Sequence, residues 1–169
     1  MQQAIDERRG EDRRGMDAKH ARGLTTASAQ FSTFYVANRL YGIDVTRVQE
    51  VVRPLPITPI PLAPQYVVGL INLRGQVATA IGLREFFGLK SVATDTFMNV
   101  VCSIDGSLIS LQVDEIGDVI EVMRKDFEPT PQTIPHDVRR FISGIYKVSD
   151  TLLSILDTDR IGKFMNHKL

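Results

Sequence analysis

The stretch GLINLRGQVATAIGLREF, from Gly69 to Phe86, lines up without a gap on GIYKVSDTLLSILDTDRI, from Gly144 to Ile161, at an offset of 75 residues. Apolar positions coincide: Leu70 with Ile145, Leu73 with Val148, Val77 with Leu152, Ala80 with Ile155 and Ile81 with Leu156. A second block, GIDVTRVQEVV from Gly42, lines up on SLQVDEIGDVI from Ser110 at an offset of 68. Here Ile43 meets Leu111, Val45 meets Val113, Val48 meets Ile116 and Val51 meets Val119. Any two strands share a period of two, so alternation alone proves little. Two blocks of strand, turn and short helix, repeated in the same order, are harder to obtain by chance. They predict an all-β chain built from a duplicated module with pseudo-two-fold symmetry. Several short strands punctuated by turns favour barrels over an open sheet.

From Phe31 onward the chain reads as strands. FSTFYVA (31–37) and LYGIDV (40–45) are rich in aromatic and β-branched residues, with a hairpin turn expected at Asn38-Arg39. VTRVQEVV (45–52) reads as one helical turn entering a strand. RPLPITPIPLAP (53–64) holds five of the eight prolines, too many for a central strand, and reads as extended chain. VVGLINL and QVATAIGL are two strands joined near Arg74-Gly75, and LREFFG (83–88) is a short helix closed by Gly88. FMNVVCSID and SLISLQVDEI flank Asp105-Gly106, a strong hairpin signal. DVIEV, FISGIYKVSD, TLLSILD and a short terminal helix complete the chain. Residues 1–30 differ: they hold no aromatic residue and no valine, eleven are Asp, Glu, Lys or Arg, and DERRG is followed at once by EDRRG. Such a segment buries too little surface to offset chain entropy and is expected to be a disordered tail. The expected organisation is therefore a tail over 1–30, a first subdomain over 31–92 and a second over 93–169, with strands able to cross between the two.

The chemistry expected of an enzyme is missing. Lys plus Arg and Asp plus Glu are 20 each, which gives no electrostatic case for nucleic acid or an anionic membrane. No apolar run approaches the ~20 residues of a membrane span, and the N-terminus lacks the apolar core of a secretory signal. The single cysteine, Cys102, lies in an apolar strand and reads as a small buried hydrophobe. His20, His136 and His167 have no metal-ligand spacing. There is no phosphate loop, dinucleotide fingerprint or nucleophile elbow. Asp44, Asp114, Glu115 and Asp118 are the only carboxylates placed to act as an acid–base pair, and such residues more often occupy strand ends and turns. The expectation is a cytoplasmic binding module without catalytic residue, cofactor or metal.

Several segments resemble one family. YGIDVTRVQEVV, the proline-rich connector, VVGLINLRGQV and LREFFGL are similar to the first half of the CheW family of chemotaxis coupling proteins, and VDEIGDVIEV and ISGIYKVSDTLLSILDTDRI to its second half. The likeness covers roughly 31–164, and NLRG following VQEV is its most specific part. The resemblance implies two five-stranded SH3-like β-barrels with short helices and no catalytic activity. It implies an adaptor that couples the cytoplasmic tips of chemoreceptors (methyl-accepting chemotaxis proteins) to the regulatory domain of the histidine kinase CheA. It also implies recruitment to membrane-associated receptor arrays without membrane insertion. A CheW-like scaffold for an array serving another motility or receptor–kinase system is the alternative.

The resemblance also places VQE beside NLRG, at the groove between the barrels. Arg74, a charge between two apolar runs, needs solvent or a partner, and Glu50 is the best candidate. The implied receptor-binding set is Val48, Glu50, Gly69, Asn72, Arg74, Gly75 and Met98. In this set Gly69 and Gly75 keep the floor clear for a partner helix, and Val48 and Met98 are apolar anchors. A structural ion pair beside a hairpin glycine is the plainer alternative. Val113, Ile116, Val119 and Leu152 are available to face a kinase but serve equally well as core. One departure stands out: Gly82 replaces the acidic residue that the family usually carries before LR, whereas the second copy keeps it as Asp157. That loss is expected to remove a cap or ion pair, with Arg84 as its partner, from the short helix.

Overall fold

In a computed structural model, residues 27–93 and 95–168 are described. Their strands are β1 (Ser28–Val36), β2 (Arg39–Asp44), β3 (Val48–Val52), β4 (Ile57–Thr58), β5 (Val67–Leu73), β6 (Gln76–Gly82), β7 (Met98–Ile104), β8 (Ser107–Val113), β9 (Glu115–Met123), β10 (Ile142–Val148) and β11 (Thr151–Leu156). Helices are few and short: α1 (Leu83–Phe86), α2 (His136–Arg139) and α3 (Thr158–Asn166). The expected tail falls outside the described residues up to position 26, but its last three positions do not belong to it, since Ser28–Gln30 already pair with β9.

Two sheets form, ordered β10-β11-β2-β1-β9 and β3-β7-β8-β6-β5-β4. The duplication is legible in their registers. Ala80 of β6 lies opposite Ser110 of β8, and Ile155 of β11 lies opposite Gly42 of β2, so both parallel pairings obey the offsets of 75 and 68. A register slip precedes Gly69 in β5 and Gly144 in β10, again equivalent positions. Strands cross between the segments on either side of residues 92–93. Strands between 48 and 113 make one sheet, and the other combines 28–44 with strands between 115 and 156. The physical reason is that each repeat's first hairpin, β1–β2 or β7–β8, is built into the sheet of the other repeat. In the six-stranded sheet the two edge strands, β3 and β4, follow one another in sequence. In the other sheet Glu128, just beyond β9, bridges to Ile145 of β10.

Local chemistry sets the turns. The first hairpin turns at Ala37-Asn38, with φ of 49° and 62°, and Arg39 is already the first residue of β2. Val45–Arg47 form a hydrogen-bonded turn rather than a turn of helix, braced by Asp44, whose Oδ1 accepts from the Thr46 N–H at 2.9 Å. The main core draws on both repeats: Phe34, Tyr41, Ile81, Leu83 and Phe86 pack with Val100, Leu111, Phe141, Leu156 and Ile161. Cys102 is fully buried in that core, and burial pushes its thiol up to about 12, so it behaves as a hydrophobe.

Equivalent helix residues, Arg84 and Asp159, carry opposite charges and each pairs with the other repeat. At the end of β8, Asp114 accepts two bonds from Arg84 of α1, at 2.7 and 2.6 Å, and one from the Ala37 N–H at 2.7 Å. Asp159 of α3 pairs with Arg47, in the turn after β2, at 2.8 Å. Arg84 is therefore not left unpaired by Gly82. The Glu85 carboxylate turns back into the room a residue-82 side chain would fill and accepts from Ser91 Oγ. Asp157 does cap its helix, accepting from the Arg160 N–H at 3.0 Å.

Burial alone would raise the Asp114 carboxyl, but the Arg84 and Ala37 hydrogen bonds and the Arg84 charge hold it below the ordinary aspartate value. A depressed pKa contributes stability that is complete above about pH 4 and is lost as pH falls through the lowered value. Asp114→Asn is expected to lower the thermal midpoint at pH 7 by several degrees, the scale of about 1–3 kcal/mol for a charge-assisted bond. Between pH 6 and pH 3 the variant should lose less of its midpoint than the parent. Equal acid losses in thermal unfolding would show that Asp114 is not a source of acid sensitivity.

Candidate functional site

The β5–β6 hairpin ends in a two-residue turn. Leu73 and Gln76 are its last pair, and Arg74 and Gly75 form the turn with φ of 53° and 87°. Two successive left-handed residues match the twist of the flanking strands, and Gly75 takes that conformation without steric cost. Alternation along β5 buries Val67, Gly69, Ile71 and Leu73, so the chain reaches the tip with Arg74 outside the sheet. The arginine that interrupts an apolar run in the sequence is thus the tip of a hairpin, its side chain 83% exposed.

Its Nη2 donates to Glu50 Oε2 at 3.0 Å. Glu50 lies on β3, opposite Val101 of β7, and its side chain is only 20% exposed. Both residues belong to the six-stranded sheet, and β3 and β5 are not paired with each other, so the ion pair crosses the seam between them. The half-buried carboxylate is carried by its strand and the exposed guanidinium is held against it. Among the described residues only Nη2 of Arg74 has a partner, which leaves Nε and Nη1 to donate to a second molecule.

The other expected site residues divide. Asn72 is exposed, and its Oδ1 accepts from the Gly75 N–H at 2.8 Å. Val48 and Met98 lie on neighbouring strands but at opposite ends, Val48 opposite Cys102 and Met98 opposite Val113, and both pack partly against the core. The glycines have internal reasons. Gly69 is buried under β4, where a Cβ would sit 2.5 Å from the Thr58 carbonyl oxygen, so the space it leaves is filled by the protein itself. Gly144 does the same for the Glu128 carbonyl, with 2.7 Å to a Cβ. Around Gly75 nothing lies within 4 Å of a Cβ, and its backbone conformation explains the residue.

The surface carries a second pattern that sequence periodicity assigns to core. Val77 and its equivalent Leu152 are 63% and 46% exposed; Val51 and its equivalent Val119 are 37% and 61% exposed. Of the four residues considered for a kinase-facing surface, Val113 is buried and Ile116 packs partly on the core, whereas Val119 and Leu152 are open. The readable signal for Val77 was its partner: it lies opposite Asn72, a polar residue, on the outward face. Among the described residues no group of three His, Cys, Asp or Glu is placed to hold a metal ion, and no helix is long and apolar enough to cross a membrane.

Known proteins resemble this chain in sequence and fold. The CheW-like domain family matches residues 30–163. A chemotaxis protein CheW from Helicobacter pylori is 35% identical over 136 residues, covering 79% of this chain and 81% of its own. One from Treponema pallidum is 31% identical over 137 residues, covering 78% and 81%. The crystal structure of the scaffolding protein TtCheW from Thermoanaerobacter tengcongensis superposes with a TM-score of 0.71 at 33% identity, covering 78% of this chain and 90% of that one.

An ion pair with one partner so exposed contributes about 0–1 kcal/mol. Arg74→Ala is expected to shift the thermal midpoint by no more than a few degrees. A loss beyond 8 °C in calorimetry would make Arg74 a structural residue.

Proposed function

The chain belongs to the CheW family, and from that premise we infer that it is a chemotaxis coupling adaptor that joins receptors to a kinase by binding both. Family membership supports a scaffold rather than an enzyme. The likeness to proteins named for chemotaxis favours this pathway over an array serving another motility system. The partners are the cytoplasmic tip of a methyl-accepting chemotaxis protein and the regulatory domain of the histidine kinase CheA. The adaptor works in the cytoplasm, recruited to receptor arrays at the membrane.

One observation carries the receptor site: Arg74 stands exposed on a rigid turn while Glu50 holds one of its nitrogens. Glu50, Asn72 and Gly75 make or support that contact, Val48 and Met98 are proposed as apolar anchors at either end of the β3–β7 pair, and Gly69 acts only through the fold. The guanidinium presents a planar fork of donors, which fits a carboxylate or helix-end carbonyls on a receptor helix. Arg74→Ala is expected to weaken binding of a receptor-tip fragment by about 1–3 kcal/mol, roughly 5- to 150-fold, in titration calorimetry. Glu50→Ala should weaken the same interaction, with the double mutant losing less than the sum. The exchange Glu50→Arg with Arg74→Glu should keep the fold without restoring affinity, since the fork would then project from β3. Unchanged affinity in Arg74→Ala would remove the site.

The kinase surface uses the open apolar positions Val119 and Leu152, which a partner barrel would cover. Val119→Asp and Leu152→Asp are expected to lower affinity for the CheA regulatory domain about tenfold or more, the cost of a charge in a closed interface core. Receptor-fragment binding should stay within twofold. Losing both affinities together would assign these residues to folding instead.

A further inference from the structure

The molecule contains its own control for the tip that carries Arg74. A second hairpin, β10–β11, also ends in a two-residue turn: Val148 and Thr151 are its last pair, and Ser149 has φ of 52° against 53° at Arg74, but Asp150 does not share the positive φ of Gly75. At the position of Asn72 it carries Lys147, which donates to Glu128 at 3.1 Å. Ser149-Asp150 therefore makes the turn with no amide side chain accepting from its second residue. A two-residue hairpin at the equivalent place thus closes without such a bond. The first tip differs in the residue it presents, in the left-handed backbone of Gly75 and in the amide bond that holds it.

We propose that Asn72 is a positioning residue for receptor recognition, acting through Arg74 rather than by touching the partner. This rests on the reading of Arg74 as a receptor contact. The Gly75 N–H can only donate, so the accepting atom is the Asn72 carbonyl oxygen, 2.8 Å away. Gly75 has no Cβ and open space around it, so nothing steric limits its backbone. Without the bond, the Arg74–Gly75 peptide rotates more freely and the direction of the Arg74 side chain spreads. With it, the guanidinium is held where Nη2 meets Glu50 at 3.0 Å, on a side chain that is otherwise exposed. Arg74 is then fixed twice, by Glu50 at its far end and by Asn72 at its root, which spares the partner the entropy of ordering a long side chain.

The test is a set of full-length variants, Asn72→Ala and Asn72→Asp, each made with Arg74 intact and with Arg74→Ala. Affinity for a receptor-tip fragment and thermal midpoint are measured for all. With Arg74 intact, Asn72→Ala is expected to weaken binding about two- to tenfold, the scale of one neutral hydrogen bond. Asn72→Asp, which keeps the accepting oxygen, should recover most of that affinity. In the Arg74→Ala background Asn72→Ala should change nothing further, and midpoints should stay within a few degrees throughout. An equal loss in both backgrounds would make Asn72 a direct contact and overturn the proposal. A large midpoint loss, with unchanged affinity of the folded protein, would overturn it in favour of a structural role. If Arg74→Ala weakens binding and Asn72→Ala does not, this inference alone fails; if Arg74→Ala has no effect, the receptor-site reading fails and takes this one with it.

Discussion

Everything described above hangs on two parallel strand pairings, β2 with β11 and β6 with β8. Each sews the first hairpin of one repeat into the sheet of the other. Parallel neighbours need a long crossover, and here β6 reaches β8 by way of α1 and β7, whereas β2 reaches β11 only after all the strands from β3 to β10. Neither repeat can complete a sheet alone, and the core between the sheets is shared for the same reason. α1 and α3, which run directly from β6 and β11, both place apolar side chains into it: Leu83 and Phe86 from one, Ile161 and Met165 from the other. The β6–β8 pairing also fixes where the β5–β6 tip comes to rest. The β7–β8 hairpin that it captures holds β3 on its other edge, so the same exchange that builds the sheet brings Arg74 to Glu50.

On this symmetrical frame the two copies have diverged in charge. The helix of each copy is tied to a strand-end turn of the other, Arg84 to Asp114 and Asp159 to Arg47, with the charge on the helix exchanged between the copies. At the hairpin tip the acid is kept, as Glu50 and Asp118, but the arginine becomes Ser149. The exposed apolar positions, in contrast, persist in both copies. A duplicated fold with unequal tips thus exposes one charged tip and several apolar positions, which on the function proposed above would serve partners of different kinds.

The duplication was legible because its signal is positional: offsets of 75 and 68 survive as strand registers down to single residues such as Gly69 and Gly144. The Glu50–Arg74 pair was legible because a charge between apolar runs needs solvent or a partner and the family resemblance set VQE beside NLRG. The hairpin exchange was not, because local periodicity says which face of a strand is buried but not which strand lies beside it. The first turn was placed one residue late because Ala37 has no intrinsic preference for a left-handed backbone, and the strand pairing imposes it. The glycines of the candidate site were read as room for a partner, whereas Gly69 makes room for β4. Arg84 was expected to have lost its acid at Gly82; its partner Asp114 lies on a different repeat, where no local reading reaches.

The hairpin exchange also imposes an order on biosynthesis. Strands of the six-stranded sheet lie between Val48 and Val113, so that sheet has all its parts once the middle of the chain has emerged from the ribosome. The β1–β2 hairpin emerges earlier still, yet Leu40 has to wait for Leu153 before its second edge is covered. During that interval an apolar hairpin stands with a bare edge, the state in which strands add to the wrong neighbour. The long-range closure that finishes the fold is therefore the slowest kind of contact to make and depends on nearly the last strand synthesised. A nascent chain halted before β11 would carry a complete six-stranded sheet, with Arg74 and Glu50 already in it, on a molecule whose other half still lacked its central partner.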